Sequence, residues 1–234
     1  MIEELDIDTY LYISKNKFQI FVYNKKDKKN LYNQEKIIYD EYGFQDSNEL
    51  SQFLDENIYK IEKLVGIFIK DIILVLESDE NLNVSVSIKK KNYKNTISKK
   101  DLENILTELK DLFKENYQKQ NILHMIIVNY VIGDKSYSSF DSDLSGDHLC
   151  LEVKFVCISN DLMFKFDKLL TNYQISVSRY MCGTYVKNFS KQSGGELAET
   201  IYKLKNGIND NEVTLVPKNV ENQGFFEKFF QLFS

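Results

Sequence analysis

Cysteine, histidine, glycine and arginine are all scarce in this 234-residue chain, and each scarcity closes off a class of function. The cysteines, Cys150, Cys157 and Cys182, are odd in number and unclustered, which excludes a disulfide scaffold and fits reduced thiols in the cytosol. Cys150 and Cys157 are seven positions apart, an odd separation, so on a strand they face opposite sides and share no metal. Of the two histidines, His124 opens an apolar strand and His148 stands beside Asp147; both read as structural or surface groups rather than bases or ligands. Arg179 is the one arginine among 30 basic residues, which removes the usual bidentate phosphate clamps. With nine glycines, the chain contains no Gly-x-Gly-x-x-Gly, no Gly-x-x-x-x-Gly-Lys-Ser/Thr and no Gly-x-Ser-x-Gly. Gly194-Gly195, the one glycine doublet, reads as a chain turn at a helix start. The expectation is a protein that is not an enzyme and holds no cofactor and no metal.

Other absences concern location and partners. No run approaches the ~18 apolar residues of a membrane span. The acidic start, with Glu3, Glu4, Asp6 and Asp8, is unlike a secretory signal, so a cytosolic protein is expected. The 30 basic residues are outnumbered by 35 acidic ones, net -5, which argues against a nucleic-acid binder. The lysine clusters at 25–29 and 89–91 read as solvated loop tips.

What is present is a folding sequence: 43% hydrophobic, 13% aromatic and 28% charged residues. Such a composition excludes a disordered, collagen-like or coiled-coil chain. At ~150 residues per domain the length allows one large domain or two small ones. Segments 9–14 and 18–23, rich in aromatic and β-branched residues, predict a hairpin, followed by a polar loop at 25–30 and a third strand at 35–39. Asp46 with Glu49 reads as a capping box, and Leu50, Phe53, Leu54, Ile58, Ile61, Leu64 and Val65 predict a helix with one apolar face. A second block follows, with strands at 72–76 and 83–88 and a helix capped by Ser98 and Asp101. Strands at 124–132 and 148–157 flank an exposed loop at 133–146. A helix from Asn160, a strand at 174–180, a helix through Leu197, Ile201 and Leu204 and a short strand at 212–216 complete the alternation.

The sharpest signal lies at 224–234. At ~100° per residue Phe225, Phe226, Phe229, Phe230, Leu232 and Phe233 occupy an arc of about 160°, opposite Glu227, Lys228 and Gln231. An amphipathic helix behind the polar linker 218–223 is expected, with those six residues binding a membrane surface.

The order of elements resembles the FtsA family, actin-like bacterial cell-division proteins that link FtsZ filaments to the membrane. The residues that carry the resemblance are Ile97-Ser98-Lys99-Lys100-Asp101-Leu102, Leu123-His124-Met125-Ile126, Tyr130-Val131-Ile132 and Leu144-Ser145-Gly146-Asp147-His148-Leu149, together with the Phe-rich tail. The resemblance implies a mixed α/β fold: a single actin-like lobe at 1–70 and 158–217, with a strand-helix-strand-strand module inserted at 71–157. It also implies a peripheral protein on the inner face of the cytoplasmic membrane. Division proteins would be its partners, FtsZ among them, and the module would serve self-association. The family's phosphate-binding Asp-x-Gly-Thr has two counterparts here, Asp6-Ile7-Asp8-Thr9 and Tyr12-Ile13-Ser14-Lys15, both without the glycine, so no ATPase activity is expected. The residues after 185 are too few for the second lobe, to which the family's FtsZ-binding surface is assigned. A PilM-like pilus-assembly scaffold shares the inserted module and is the alternative reading.

Overall fold

The computed structural model describes residues 6–39, 47–91, 96–140 and 144–213. They form two compact units, Met1–Glu80 with Asp161–Asn206, and Asn81–Asn160 with Gly207–Ser234. The fold belongs to the expected mixed α/β class and is built on two sheets.

In the first unit, β1 (Ile7–Ser14) and β2 (Lys17–Asn24) make the expected hairpin, with Ser14 opposite Lys17 across a two-residue turn. The third strand, β3 (Lys29–Ile37), starts inside the stretch expected to be a loop. It is an edge strand and largely exposed, so it lacks the alternation that reveals a half-buried strand. Helix α1 (Ser47–Val65) lies against β2 and β3 and buries Leu50, Phe53, Leu54, Ile58, Ile61 and Val65, while Leu64 in its last turn stays exposed. The Phe53 ring sits 5.9 Å from that of Phe18, and the Tyr32 hydroxyl donates to Asn57 Oδ1 at 2.6 Å. Asp46, the expected cap, lies outside the described residues.

Strand β4 (Asp71–Leu76) runs parallel to β1, and β9 (Ser176–Cys182) runs parallel to β4, giving the order β3-β2-β1-β4-β9. Helix α3 (Asn160–Thr171) precedes β9, and the Tyr180 hydroxyl donates to Asp167 Oδ1 at 2.7 Å. Helices α4 (Gly183–Ser193) and α5 (Leu197–Lys205) follow β9. They cover the face that carries Tyr10, Tyr12, Phe21, Tyr23, Ile73, Val75 and Met181. Alternation turns Leu11 and Ile13, also fully buried, to the opposite face. Helix α4 has no counterpart among the sequence expectations, since its stripe is weak and only Gly183 and Val186 are buried. Gly194, expected at a helix start, instead ends α4: it takes φ 68° as the C-cap, and its N–H bonds Ser190 O at 2.9 Å.

The second unit pairs β5 (Leu82–Lys91), β6 (Gln120–Ile132), β8 (His148–Ser159) and β10 (Glu212–Val213) antiparallel in the order β10-β6-β8-β5. A short β7 (Lys135–Tyr137) folds back on β6 inside the expected loop 133–146. Lys89, Lys90 and Lys91 are the last residues of β5 rather than a loop tip. Helix α2 (Lys99–Asn116) opens on the predicted capping box: Asp101 N–H donates to Ser98 Oγ at 3.2 Å, and Ser98 N–H to Asp101 Oδ2 at 2.9 Å. Its stripe of Leu102, Ile105, Leu106, Leu109 and Phe113 joins Met125, Ile127, Tyr130, Leu151, Val153 and Phe155 in one core. Each such side chain contributes roughly 1.5–3 kcal/mol when fully buried.

These pairings place the boundaries between the units differently from the sequence reading. The expected start of the module at residue 71 moves to Asn81, because β4 is the central partner of β1 and β9 in the first sheet. The stretch 158–217 also divides: Gly207 onward joins the second unit, where β10 pairs with β6. The linker 218–223 and the helix 224–234 lie outside the described residues.

Candidate functional site

In an open sheet with parallel strands, the crevice outside their carboxyl ends is where ligand-binding groups collect. Here β1, β4 and β9 end at Ser14, Leu76 and Cys182, and the residues just beyond them meet. The Glu77 N–H donates to Ile13 O at 2.8 Å, which carries the ladder one residue past β4. Gly183, the first residue of α4, packs so closely there that a Cβ on it would lie 2.7 Å from Glu77 Cβ and 2.8 Å from Glu77 N. A glycine is required by this approach of two segments, which sets the first residue of α4 against the backbone and Cβ of Glu77.

The carboxylate is occupied. Lys187, one turn into α4, donates from Nζ to Glu77 Oε2 at 2.5 Å, and the Tyr12 hydroxyl donates to the same oxygen. The Lys187 ammonium also stands 5.3 Å from the Tyr12 ring centroid, with Lys17 at 5.7 Å. Lys17 itself is paired with Glu35 at 3.2 Å.

Electrostatics follow from this geometry. Burial works to raise the Glu77 carboxyl, but the hydrogen bonds from Lys187 and Tyr12 and the positive charge of Lys187 outweigh it and hold it below its ordinary value. Burial likewise works to lower Lys187, and its bonds to Glu77 and Tyr12 hold it above its ordinary value. Desolvation and the bond to Glu77 push Tyr12 up to about 12. At neutral pH the three form a self-neutralised ion pair with a protonated phenol. None sits near neutrality, where general acid–base catalysis works best.

The neighbouring hydroxyl is also engaged: Ser14 Oγ donates to Asn16 Oδ1 at 3.0 Å. Of the two phosphate-loop counterparts, Tyr12-Ile13-Ser14-Lys15 lies at this end of the sheet. Asp6-Ile7-Asp8-Thr9 lies at the start of β1, where Asp8 pairs with Lys205 at 2.8 Å. Among the described residues, no cluster of three or more His, Cys, Asp or Glu side chains could hold a metal ion, and no helix is long and apolar enough to cross a membrane.

In the second unit the structure brings together a pair that the sequence reading kept apart. His124 Nδ1 lies 2.7 Å from Glu212 Oε1, with both side chains almost wholly buried. The pair fastens β10 to β6, supported by Ile127 N–H donating to Asn211 O at 2.8 Å. No spacing rule could have found it, because the partners are 88 residues apart. His148 pairs with its chain neighbour Asp147 at 2.7 Å. The predicted membrane-binding residues Phe225, Phe226, Phe229, Phe230, Leu232 and Phe233 fall outside the described residues.

No protein-family model matches the chain, and no curated protein matches it. Similar solved structures include the cytoplasmic domain of EpsL, an inner membrane component of the type II secretion system of Vibrio cholerae. It is 11% identical with a TM-score of 0.36, and the match covers 76% of this chain and 57% of that one. A Bacteroides thetaiotaomicron protein with an actin-like ATPase fold and unknown function is 13% identical at a TM-score of 0.35, over 82% and 60% of the two chains. The PilM-PilN type IV pilus biogenesis complex is 6% identical at 0.44, over 86% and 70%. The chain thus spans less than two thirds of the first two structures, and likeness at this level says nothing of its activity or partners.

Proposed function

We propose that this chain is a protein-binding scaffold of the actin-like type that works at a membrane surface by contact rather than by nucleotide chemistry. The observation that carries the proposal is the Glu77–Lys187–Tyr12 cluster. The lysine that could receive a phosphate at the carboxyl ends of β1, β4 and β9 is instead bonded to a carboxylate of the chain itself. An anion entering there would have to displace Glu77 and leave its charge unpaired.

At the finer level, the motifs around Ser98, His124 and Gly146 and the Phe-rich tail support an FtsA-like adaptor of the division machinery on the inner face of the cytoplasmic membrane. Isothermal titration of the full chain with Mg-ATP yields no saturable heat under this reading, and saturable micromolar binding overturns the non-catalytic half. A fluorescent fusion in the source cells gathers at the division site. Envelope foci elsewhere overturn the division half and favour a pilus or secretion scaffold.

A further inference from the structure

The link between α1 and β4 carries large apolar side chains on its outside. Val65 and Ile69 are buried, but Leu64, Ile67 and Phe68 are 54%, 50% and 79% exposed. A single exposed apolar residue is ordinary, whereas three large ones within five positions mark a contact surface. The turn is braced at both ends. Gly66, at φ 75°, closes α1, and its N–H donates to Glu62 O at 2.8 Å. The Glu62 carboxylate accepts from Ile69 N–H at 3.1 Å across the turn, and Lys70 O accepts from Ser176 N–H at 2.9 Å at the start of β9. Ile67 and Phe68 therefore stand on a tip whose backbone is fixed to the helix on one side and to the sheet on the other.

The tip lies at the amino ends of β4 and β9, the end of the first sheet opposite Glu77, and its flanks are cationic. Lys60 and Lys63 before it and Lys70 after it are exposed, and among the described residues none of the three is in an ion pair. Of the two carboxylates in the same stretch, Glu62 is turned to the Ile69 N–H, and Asp71 is exposed beside Lys70. An apolar tip between free ammonium groups is complementary to an anionic bilayer. Acyl chains take the tip, and headgroups take the lysines, whose stems can lie along the apolar layer. We propose that the turn 64–70 is a second membrane contact: Leu64, Ile67 and Phe68 enter the boundary between headgroups and acyl chains, with Lys60, Lys63 and Lys70 at headgroup level. This inference rests on the reading that the chain works at a membrane surface, and it names the part of the folded first unit that touches that surface. Three side chains are few, so the turn binds weakly alone and strengthens the hold of the tail by avidity. A tail behind a linker only tethers the chain; a braced tip also decides which end of the first sheet faces the bilayer.

The sequence contains no tryptophan, so one introduced residue reports alone. The test uses the full chain carrying Phe68→Trp and vesicles of phosphatidylcholine and phosphatidylglycerol with brominated acyl chains. The control is Ile37→Trp, opposite Lys17 beside the β1–β2 turn and roughly 23 Å along β1 from its start. Vesicles should shift the Phe68→Trp emission to the blue and quench it, and should leave Ile37→Trp unchanged. Ile67→Ser with Phe68→Ser should weaken vesicle binding of the full chain several-fold without lowering its melting temperature, since both side chains are exposed. Lys60→Glu with Lys63→Glu should weaken binding a few-fold on the anionic vesicles and leave binding to pure phosphatidylcholine unchanged. Co-sedimentation of the Phe68→Trp chain without quenching, equal quenching at positions 37 and 68, or full affinity in the double serine variant overturns this contact and leaves the membrane reading standing. No co-sedimentation of the wild-type chain overturns both. Phe68→Trp emission already blue-shifted in buffer would mean that the tip is covered by the tail or by a second copy, and it too overturns the proposal.

Discussion

His124 and Glu212 come from the two separate segments of the second unit and meet buried, ring nitrogen to carboxylate oxygen at 2.7 Å, closing the sheet with its last described strand. Removing one partner costs the other this buried hydrogen bond, a loss of about 1–3 kcal/mol. Glu212→Ala and His124→Ala should each lose stability of that order in urea unfolding. Replacing both with apolar residues of similar volume should lose less than either single change. If the double variant loses the sum of the two, the side chains do not act as a pair.

The Glu77–Lys187 pair gives stability a defined pH dependence. The folded carboxyl titrates below its ordinary value of 4.5, so its contribution is fully present above that value and is lost as pH falls through the folded value. Lys187→Met should remove both the hydrogen bond and the positive charge by which that lysine lowers the carboxyl, and move the Glu77 titration upward in an NMR pH series. Because the pair is partly exposed, its neutral-pH cost should be no more than about 1 kcal/mol. An unchanged Glu77 titration in Lys187→Met would show that the ion pair does not hold the carboxylate.

Gly183 tests the close approach of α4 to the end of β4. Gly183→Ala puts a methyl 2.7 Å from Glu77 Cβ and 2.8 Å from a backbone nitrogen, neither of which is a flexible end. Overpacking of this kind costs about 1–3 kcal/mol. At Gly195 the nearest atom to an added methyl would be Thr200 Oγ1 at 3.4 Å, so Gly195→Ala should be nearly neutral in a thermal melt. Equal melting temperatures for the two variants would contradict the packing.

For the tail, liposome co-sedimentation of the full chain, a chain ending at Gln223, and the double change Phe226→Glu with Phe229→Glu is decisive. Only the full wild-type chain should pellet. One lysine and one glutamate supply little attraction, so salt should change the binding weakly. Pelleting by all three would remove the membrane from the proposed function.

Local elements were legible because their causes are local. The hairpin of β1 and β2 follows from two β-branched and aromatic runs with a short turn, and α2 from Ser98, Asp101 and a 3.6-residue apolar period. The alternation of Leu149, Leu151, Val153, Phe155 and Cys157 gave β8 its face. Where a signal depended on context, the reading slipped: β3 is polar because it is an edge, and α4 buries little of its surface.

Hydrophobic periodicity therefore determined the strongly patterned helices and strands and which side of each turns inward, but not β3 or α4. Only the tertiary structure decided which strand lies beside which, because period and composition carry no information about a partner distant in the chain. It assigned β4 to the first sheet and β10 to the second. It joined Glu77 to Lys187 across 110 residues and His124 to Glu212 across 88, and it left β5 at an edge. Each of these contacts is set by how the two cores close, where the cost of burying an unpaired charge or an unbonded strand selects one partner out of many that the sequence alone permits.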